Sequence, residues 1–141
     1  SAPGYSPNCY IQGLGKIHIG DYVLIGPNVG IISANHDLHN TIEHQTDYAE
    51  GDPVNIGDYS WIGMGSVIMP GVSLGVYTVV GANSVVTKSF KEGYCVIAGN
   101  PAKIIQNIDQ SLCNLWTSEY VGHGYISKHR FSKFRKKKLN V

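Results

Sequence analysis

The feature that most constrains this chain is an internal period of six residues. Aliphatic residues recur at Ile19, Ile25 and Ile31, and after a gap at Ile56, Ile62, Ile68, Leu74, Val80 and Val86. Six of these nine are followed by glycine: Gly20, Gly26, Gly57, Gly63, Gly75 and Gly81. Four positions after most of them stands a small or aliphatic residue, namely Val23, Val29, Ser60, Ser66, Val72, Thr78 or Ser84. A period of six matches neither an amphipathic helix nor an alternating strand. It matches a chain that turns a corner every six residues. Each flat side is then a short strand, and three sides close a triangular coil of about 18 residues. The aliphatic residue points into the prism, and the smaller one fits near the corner. Stacked coils satisfy each other's backbone groups and bury a continuous aliphatic column. A β-sandwich would produce nine phased positions only by accident. The expected fold class is therefore all-β, a parallel β-helix. The 17 glycines and the low charged fraction of 15% agree with a turn-rich β protein. A chain of 141 residues supports one such domain.

Two breaks interrupt the pattern, and functional residues collect where a regular scaffold is interrupted. From Ile31 to Ile56 the chain is one residue longer than four repeats, so a loop leaves the coil and returns over about 35–55. This excursion holds His36, His39 and His44. It also holds Asp37, Glu43, Asp47, Glu50 and Asp52, half the acids of the chain. The second break, Lys88 to Tyr94, ends the repeats. A closing strand, Cys95 to Ala98, leads into Gly99-Asn100-Pro101-Ala102-Lys103. Beyond it Ile104, Ile105, Ile108, Leu112 and Leu115 lie near helical spacing, which predicts a helix over 104–120 capping the prism. The expected organisation is a β-helix domain over 1–103, a capping helix and extension over 104–127, and a basic tail over 128–141.

The net charge of +1 conceals an acidic body and a basic end: residues 128–141 hold seven of the eleven Lys and Arg and no acid. Such a tail, carrying Phe131 and Phe134, suits an anionic membrane surface, although a solvated end is the simpler expectation. Nucleic-acid binding is not expected, because the acidic body opposes it. Cys9, Cys95 and Cys113 are odd in number and lack metal-ligand spacing, so free thiols are expected rather than a disulfide framework or a zinc site. No apolar run reaches the length of about 20 residues that spans a bilayer. The opening Ser1-Ala2-Pro3-Gly4 has no signal-peptide character, and a cytoplasmic location is expected. Without an initiator Met, a trimmed or processed N-terminus is expected.

The repeat, with Ala34-Asn35-His36-Asp37 opening the excursion, resembles the hexapeptide-repeat acyltransferases. So do Trp61-Ile62-Gly63, Met69-Pro70-Gly71-Val72, Gly81-Ala82-Asn83-Ser84-Val85-Val86-Thr87-Lys88 and Gly99-Asn100-Pro101-Ala102-Lys103. That family includes galactoside and maltose acetyltransferases, streptogramin acetyltransferases and polysaccharide O-acetyltransferases. The resemblance spans roughly residues 10–106. It implies a left-handed β-helix, a homotrimer with active sites between subunits, and acetyl-CoA as co-substrate, with no metal.

Acetyl transfer from a thioester to an alcohol needs a base for the hydroxyl proton and a donor for the oxyanion. Histidine titrates near neutral pH and suits the first task. The resemblance implies His36 as that base, acting by direct transfer. A fixed backbone N–H suits the second task. The resemblance places this donor at Met64 or Gly65, with Trp61 flanking the acetyl site. It also implies that Ala82, Thr87, Lys88, Pro101 and Lys103 contact CoA, the lysines meeting phosphate. Asn8, Tyr10, Asn35, Asp37 and His39 are acceptor-site candidates, and Gln12 accompanies them. His44 reads as a surface residue. The implied activity is O-acetylation of a sugar, in a bacterial surface polysaccharide or its precursor, and the membrane reading of the basic tail would bring it to the inner face of the membrane. Streptogramin acetylation and amino-sugar N-acetylation are the alternatives within the family. A zinc hydratase of the γ-carbonic-anhydrase type would use His36-x2-His39-x4-His44, but leaves the Val-Thr-Lys and Gly-Asn-Pro-Ala-Lys motifs without a role. A non-catalytic scaffold is the remaining class.

Overall fold

A computed structural model of the chain describes residues 6–36, 39 and 51–119. Twelve strands and one helix follow in order: β1 (Tyr10–Gln12), β2 (Ile17–Ile19), β3 (Leu24–Ile25), β4 (Gly30–Ile32), β5 (Val54–Ile56), β6 (Trp61–Ile62), β7 (Val67–Ile68), β8 (Ser73–Leu74), β9 (Thr78–Val80), β10 (Val85–Val86), β11 (Cys95–Gly99), β12 (Ala102–Asn107) and α1 (Gln110–Glu119). The strands form three sheets, ordered β1-β4-β7-β10, β2-β5-β8 and β12-β11-β9-β6-β3. All pairings are parallel except β11 with β12. Successive strands visit the first, second and third sheets in turn. This is the triangular coil that the six-residue period predicts, and the fold is a left-handed parallel β-helix.

The register shows why the period works. Ile31 lies over Ile68, Ile56 over Leu74, and Ile62 over Val80, each inside the prism. These residues are essentially removed from solvent, as are Val86 and Ile97. Each fully buried aliphatic of this size contributes about 1.5–3 kcal/mol of transfer free energy. Ser60, Ser66, Thr78 and Ser84 are also buried at the corners. Their hydroxyls donate to the Gly75 and Gly81 carbonyls or receive a backbone N–H from the next coil, so burial leaves them satisfied.

Three details differ from the expectation. Ile19, in phase with the core, is 43% exposed, and Ile11 likewise points inward while open to solvent. β1, β2 and β3 are the outermost strands of their sheets, and among the described residues no coil covers them. The column also runs one side further than the repeat indicates, because Phe90 is buried and bridges Leu74 in the second sheet. Finally, the helix does not begin at 104. Residues 102–107 turn back as β12 and pair antiparallel with β11, from Gly99↔Ala102 to Cys95↔Asn107. Helical spacing of Ile104 and Ile105 lost to the open edge of β11, which offered backbone partners at once. Helix α1 begins at Gln110 within a second compact unit, residues 109–141, where Asp109 accepts from the Ser111 N–H at 2.8 Å. The Ser111 hydroxyl, which donates to the same carboxylate oxygen, and then this N–H hold the Asp109 carboxyl below the usual carboxylate range.

The sequence reading missed one element. Tyr22, Tyr59, Tyr77 and Tyr94 all occupy the corner between the second and third sheets, each with φ between 46° and 59°. Their rings stack, with centroids 5.0, 4.9 and 5.3 Å apart. We call this the tyrosine edge. No helix among the described residues is long and apolar enough to cross a membrane. Cys9, Cys95 and Cys113 form no disulfide.

Candidate functional site

The prism has two further edges. At the loop edge the chain passes from the first sheet to the second. There Ser33 and Ala34 are buried and the excursion departs through Asn35 and His36, both exposed. His36 sits in an isolated β-bridge, and His39 in an exposed turn. Two coils further on, Thr87 and Lys88 follow β10 at the same edge. Both are exposed, and the Lys88 ammonium lies 5.5 Å from the centre of the Phe90 ring. Asp37 and His44 lie outside the described residues, as do most of the excursion and the basic tail.

The third edge joins the third sheet to the first, and Pro27, Met64 and Ala82 occupy the same corner position in successive coils. Met64 is 51% exposed, and Trp61, on the outer face of the third sheet, is 53% exposed. Trp61 stacks in register between Leu24 and Val79. Pro101 and Lys103 are exposed at the β11–β12 turn, where the Asn100–Pro101 peptide is cis. Asn8 and Tyr10 are exposed near the start of the first sheet.

Backbone hydrogen bonds discriminate between the two oxyanion candidates. The Gly65 N–H donates to the Pro27 carbonyl at 3.0 Å, and the Asn83 N–H donates to the Met64 carbonyl at 2.8 Å. The Met64 and Ala82 N–H groups have no partner among the described residues, and Pro27 has no N–H to offer. Asp58 and Val76 at the tyrosine edge also keep an uncommitted amide, so such amides come with this kind of corner. Their surroundings differ. The tyrosine edge carries the carboxylates of Asp21 and Asp58, which would repel an anion. The Met64 edge carries Trp61, Met64 and Leu24, with no acid beside them among the described residues.

The faces differ too. Outward positions include Tyr10, Gln12, Gly30, Ile32, Val67 and Val85 on the first sheet, apolar but for Gln12 at its end, and Leu24, Trp61, Val79 and Val96 on the third. On the second they are His18, Asn55 and Ser73, with Asn55 donating to Ser73 at 3.1 Å. Two faces flanking the Met64 edge are thus apolar and one face is polar. Within a single chain the candidate residues do not converge: His36, Thr87 and Lys88 lie at the loop edge, whereas Trp61, Met64, Gly65 and Ala82 lie at the Met64 edge. Among the described residues no three His, Cys, Asp or Glu side chains group as metal ligands.

The fold and the open Met64 edge are those on which the likeness to known proteins rests. Residues 53–88 match the family Bacterial transferase hexapeptide (six repeats). Nodulation protein L of Rhizobium leguminosarum bv. viciae is 42% identical over 66 residues, 47% of this chain and 34% of that protein. The galactoside O-acetyltransferase of Escherichia coli K12 is 38% identical over 58 residues, 41% of this chain and 28% of that protein. Among solved structures, a maltose O-acetyltransferase from Clostridium difficile 630 superposes with a TM-score of 0.62 at 38% identity, covering 74% of this chain and 58% of that one. A galactoside acetyltransferase in complex with coenzyme A gives 0.65 at 32% identity, covering 85% and 56%. The chain spans about a third of the length of the curated relatives it matches.

Proposed function

We propose that this chain is the β-helix of an acetyl-CoA-dependent O-acetyltransferase that acts on a sugar hydroxyl by direct transfer, with His36 as general base. The observation that carries the reading is the pair of amides, Met64 and Ala82, uncommitted among the described residues and one coil apart on an apolar edge. Neighbouring strands lie about 4.8 Å apart, so these donors form a short rail along the prism. The acyl-pantetheine arm is an extended chain with carbonyl groups along it and suits such a rail. The names of the similar proteins, acetyltransferases for galactosides and maltose, support the same donor chemistry.

In this reading the acceptor oxygen attacks the thioester carbonyl while the His36 imidazole takes its proton. The oxyanion of the tetrahedral intermediate accepts from the Met64 N–H. Collapse of the intermediate expels the CoA thiolate, which takes the proton from the imidazolium. Ala82 donates to a pantetheine carbonyl, Trp61 flanks the acetyl group, and Lys88 and Lys103 meet the phosphates. Thr87 and Pro101 shape the cleft. Since His36 and Met64 lie on different edges, one copy supplies the loop edge and a neighbour the Met64 edge. A cyclic trimer closes such a contact and buries the two apolar faces, leaving the polar second sheet outside. The acceptor is a unit of a bacterial surface polysaccharide or its precursor, met by Asn8, Tyr10, Asn35, Asp37 and His39. The enzyme works in the cytoplasm with residues 128–141 as a solvated end, and contact of that basic tail with anionic lipid at the inner face of the membrane is the second reading.

Thiol release from acetyl-CoA tests this, with wild type and His36→Ala compared over maltose, methyl β-galactoside, glucosamine and a streptogramin. Acceptor-dependent release by wild type that is lost in the variant is expected. Absence of release with every acceptor, together with no calorimetric binding of CoA, would sink the proposal.

A further inference from the structure

Gln12 is the last residue of β1, and beyond it the chain turns away through Gly13. Its side chain does what the next backbone residue would have done. Oε1 accepts from the N–H of Ala34 at 3.0 Å and of Ser33 at 3.3 Å, and Nε2 donates to the Ala34 carbonyl at 3.2 Å. One carboxamide thus satisfies both backbone groups of Ala34, a residue only 3% exposed, whose polar groups would be costly to leave unpaired. The backbone of Gln12 holds the preceding residue as well: its carbonyl accepts from the Ser33 N–H at 3.0 Å and the Ser33 hydroxyl at 2.8 Å. That hydroxyl accepts in turn from the Gly15 N–H at 2.9 Å. Gly15 lies so close to both roots of the excursion that a Cβ there would collide with the Ser33 carbonyl and the Gly51 backbone.

We propose that Gln12 is a positioning residue for His36: its carboxamide extends the β1–β4 ladder to Ala34 and fixes the backbone two residues before the base. The role rests on the reading of His36 as that base. The Ser33 hydroxyl ties β1 to Ser33 itself, whereas among the described residues Gln12 is the side chain that reaches Ala34, and a displacement of about 1 Å at a reacting group can cost on the order of 10²-fold in rate. The amide orientation follows from its partners, since a flipped group would set its NH₂ against two N–H donors.

The test compares Gln12→Met, which keeps the length without the polar atoms, and Gln12→Glu, which keeps the acceptor but loses the donor. The wild-type full chain and His36→Ala serve as references. Steady-state thiol release from acetyl-CoA, with whichever of the four acceptors above turns over, gives kcat and KM. Calorimetry with CoA, the thermal midpoint and hydrogen exchange at the Ala34 amide complete the set. The expected result is a kcat lowered about 10–100-fold in Gln12→Met. KM for acetyl-CoA stays within about twofold, exchange at Ala34 is faster, and Gln12→Glu falls between. A Gln12→Met enzyme with unchanged kcat overturns the proposal. So does one that loses CoA affinity and stability while kcat holds, which is a structural role alone. If His36→Ala turns over like wild type, the assignment of the base has failed and the positioning role falls with it; faster exchange at Ala34 in Gln12→Met would then show that the clamp exists but serves no base.

Discussion

The tyrosine edge carries a prediction that can be worked through from the geometry. Tyr77 lies between Tyr59 and Tyr94, at 4.9 and 5.3 Å, with interplanar angles of 11° and 22°. Its φ of 52° is one that a bulky residue adopts at a cost, whereas asparagine tolerates it. Tyr77→Asn therefore removes two ring contacts while easing the backbone. Each aromatic pair is worth about 0.5–1.5 kcal/mol beyond area burial, so the two together are worth about 1–3 kcal/mol. Relief of backbone strain returns roughly 1 kcal/mol. Buried ring area is lost in addition, and the net expectation is destabilisation by about 1–3 kcal/mol. A double-mutant cycle isolates the stacking. Tyr59→Asn and Tyr77→Asn, singly and together, should couple by about 0.5–1.5 kcal/mol. Tyr22→Asn and Tyr94→Asn stand at opposite ends of the ladder and should add to within about 0.5 kcal/mol. Urea unfolding followed by circular dichroism at one fixed protein concentration gives all of these values. Equal coupling in the two pairs, or a Tyr77→Asn variant more stable than wild type, would show that the rings stack only because the corners do.

Met64→Pro should fold, because Pro27 occupies the equivalent corner one coil below, and should lower kcat for acetyl transfer by about 10²–10³-fold by deleting the proposed oxyanion donor, read in the thiol-release assay. Gly93→Ala should destabilise by more than about 2 kcal/mol, since φ is +70° and a Cβ would meet the Val76 carbonyl, while Gly13→Ala, with open space around it, should be neutral or slightly stabilising in the same unfolding assay. Stability should also fall in alkali. Burial pushes the Tyr59 phenol above its ordinary value of 10.0, helped by Tyr77 and Tyr22, and burial pushes the Cys95 thiol above 9.0. Both groups favour their neutral form in the fold, so their contribution is complete below pH 9 and is lost as pH rises through the folded values. The urea midpoint measured from pH 8 to 11 should fall progressively, and less so in Tyr59→Phe.

Much of the fold was legible because the period of a β-helix is written in every coil. Ile56, Ile62, Ile68, Leu74, Val80 and Val86 are buried as their phase required, and the small corner residues are buried beside them. The tyrosine ladder was legible too, since Tyr59 and Tyr77 are one coil apart, but attention to the aliphatic phase passed over it. Strand β12 was not legible: Ile104 and Ile105 suit a helix and a strand equally, and only the free edge of β11 decided between them. The candidate site could be named from the sequence as residue types, but not as an arrangement. Sequence motifs marked Met64 and Gly65 alike, and the hydrogen bond from Gly65 to Pro27 separated them.

The sequence alone thus determined the coil, its phase and the point at which the excursion leaves. Those features depend on local spacing and on which side chains avoid water. Tertiary structure decided what depends on neighbours in other coils: which amides stay uncommitted, which faces remain apolar, and that His36 and Met64 stand on different edges. It also decided that Gln12, which the sequence placed among the acceptor-site candidates, reaches across to Ala34. Hydrogen bonds between coils join residues 15 or more positions apart, and no local pattern encodes which of them are satisfied.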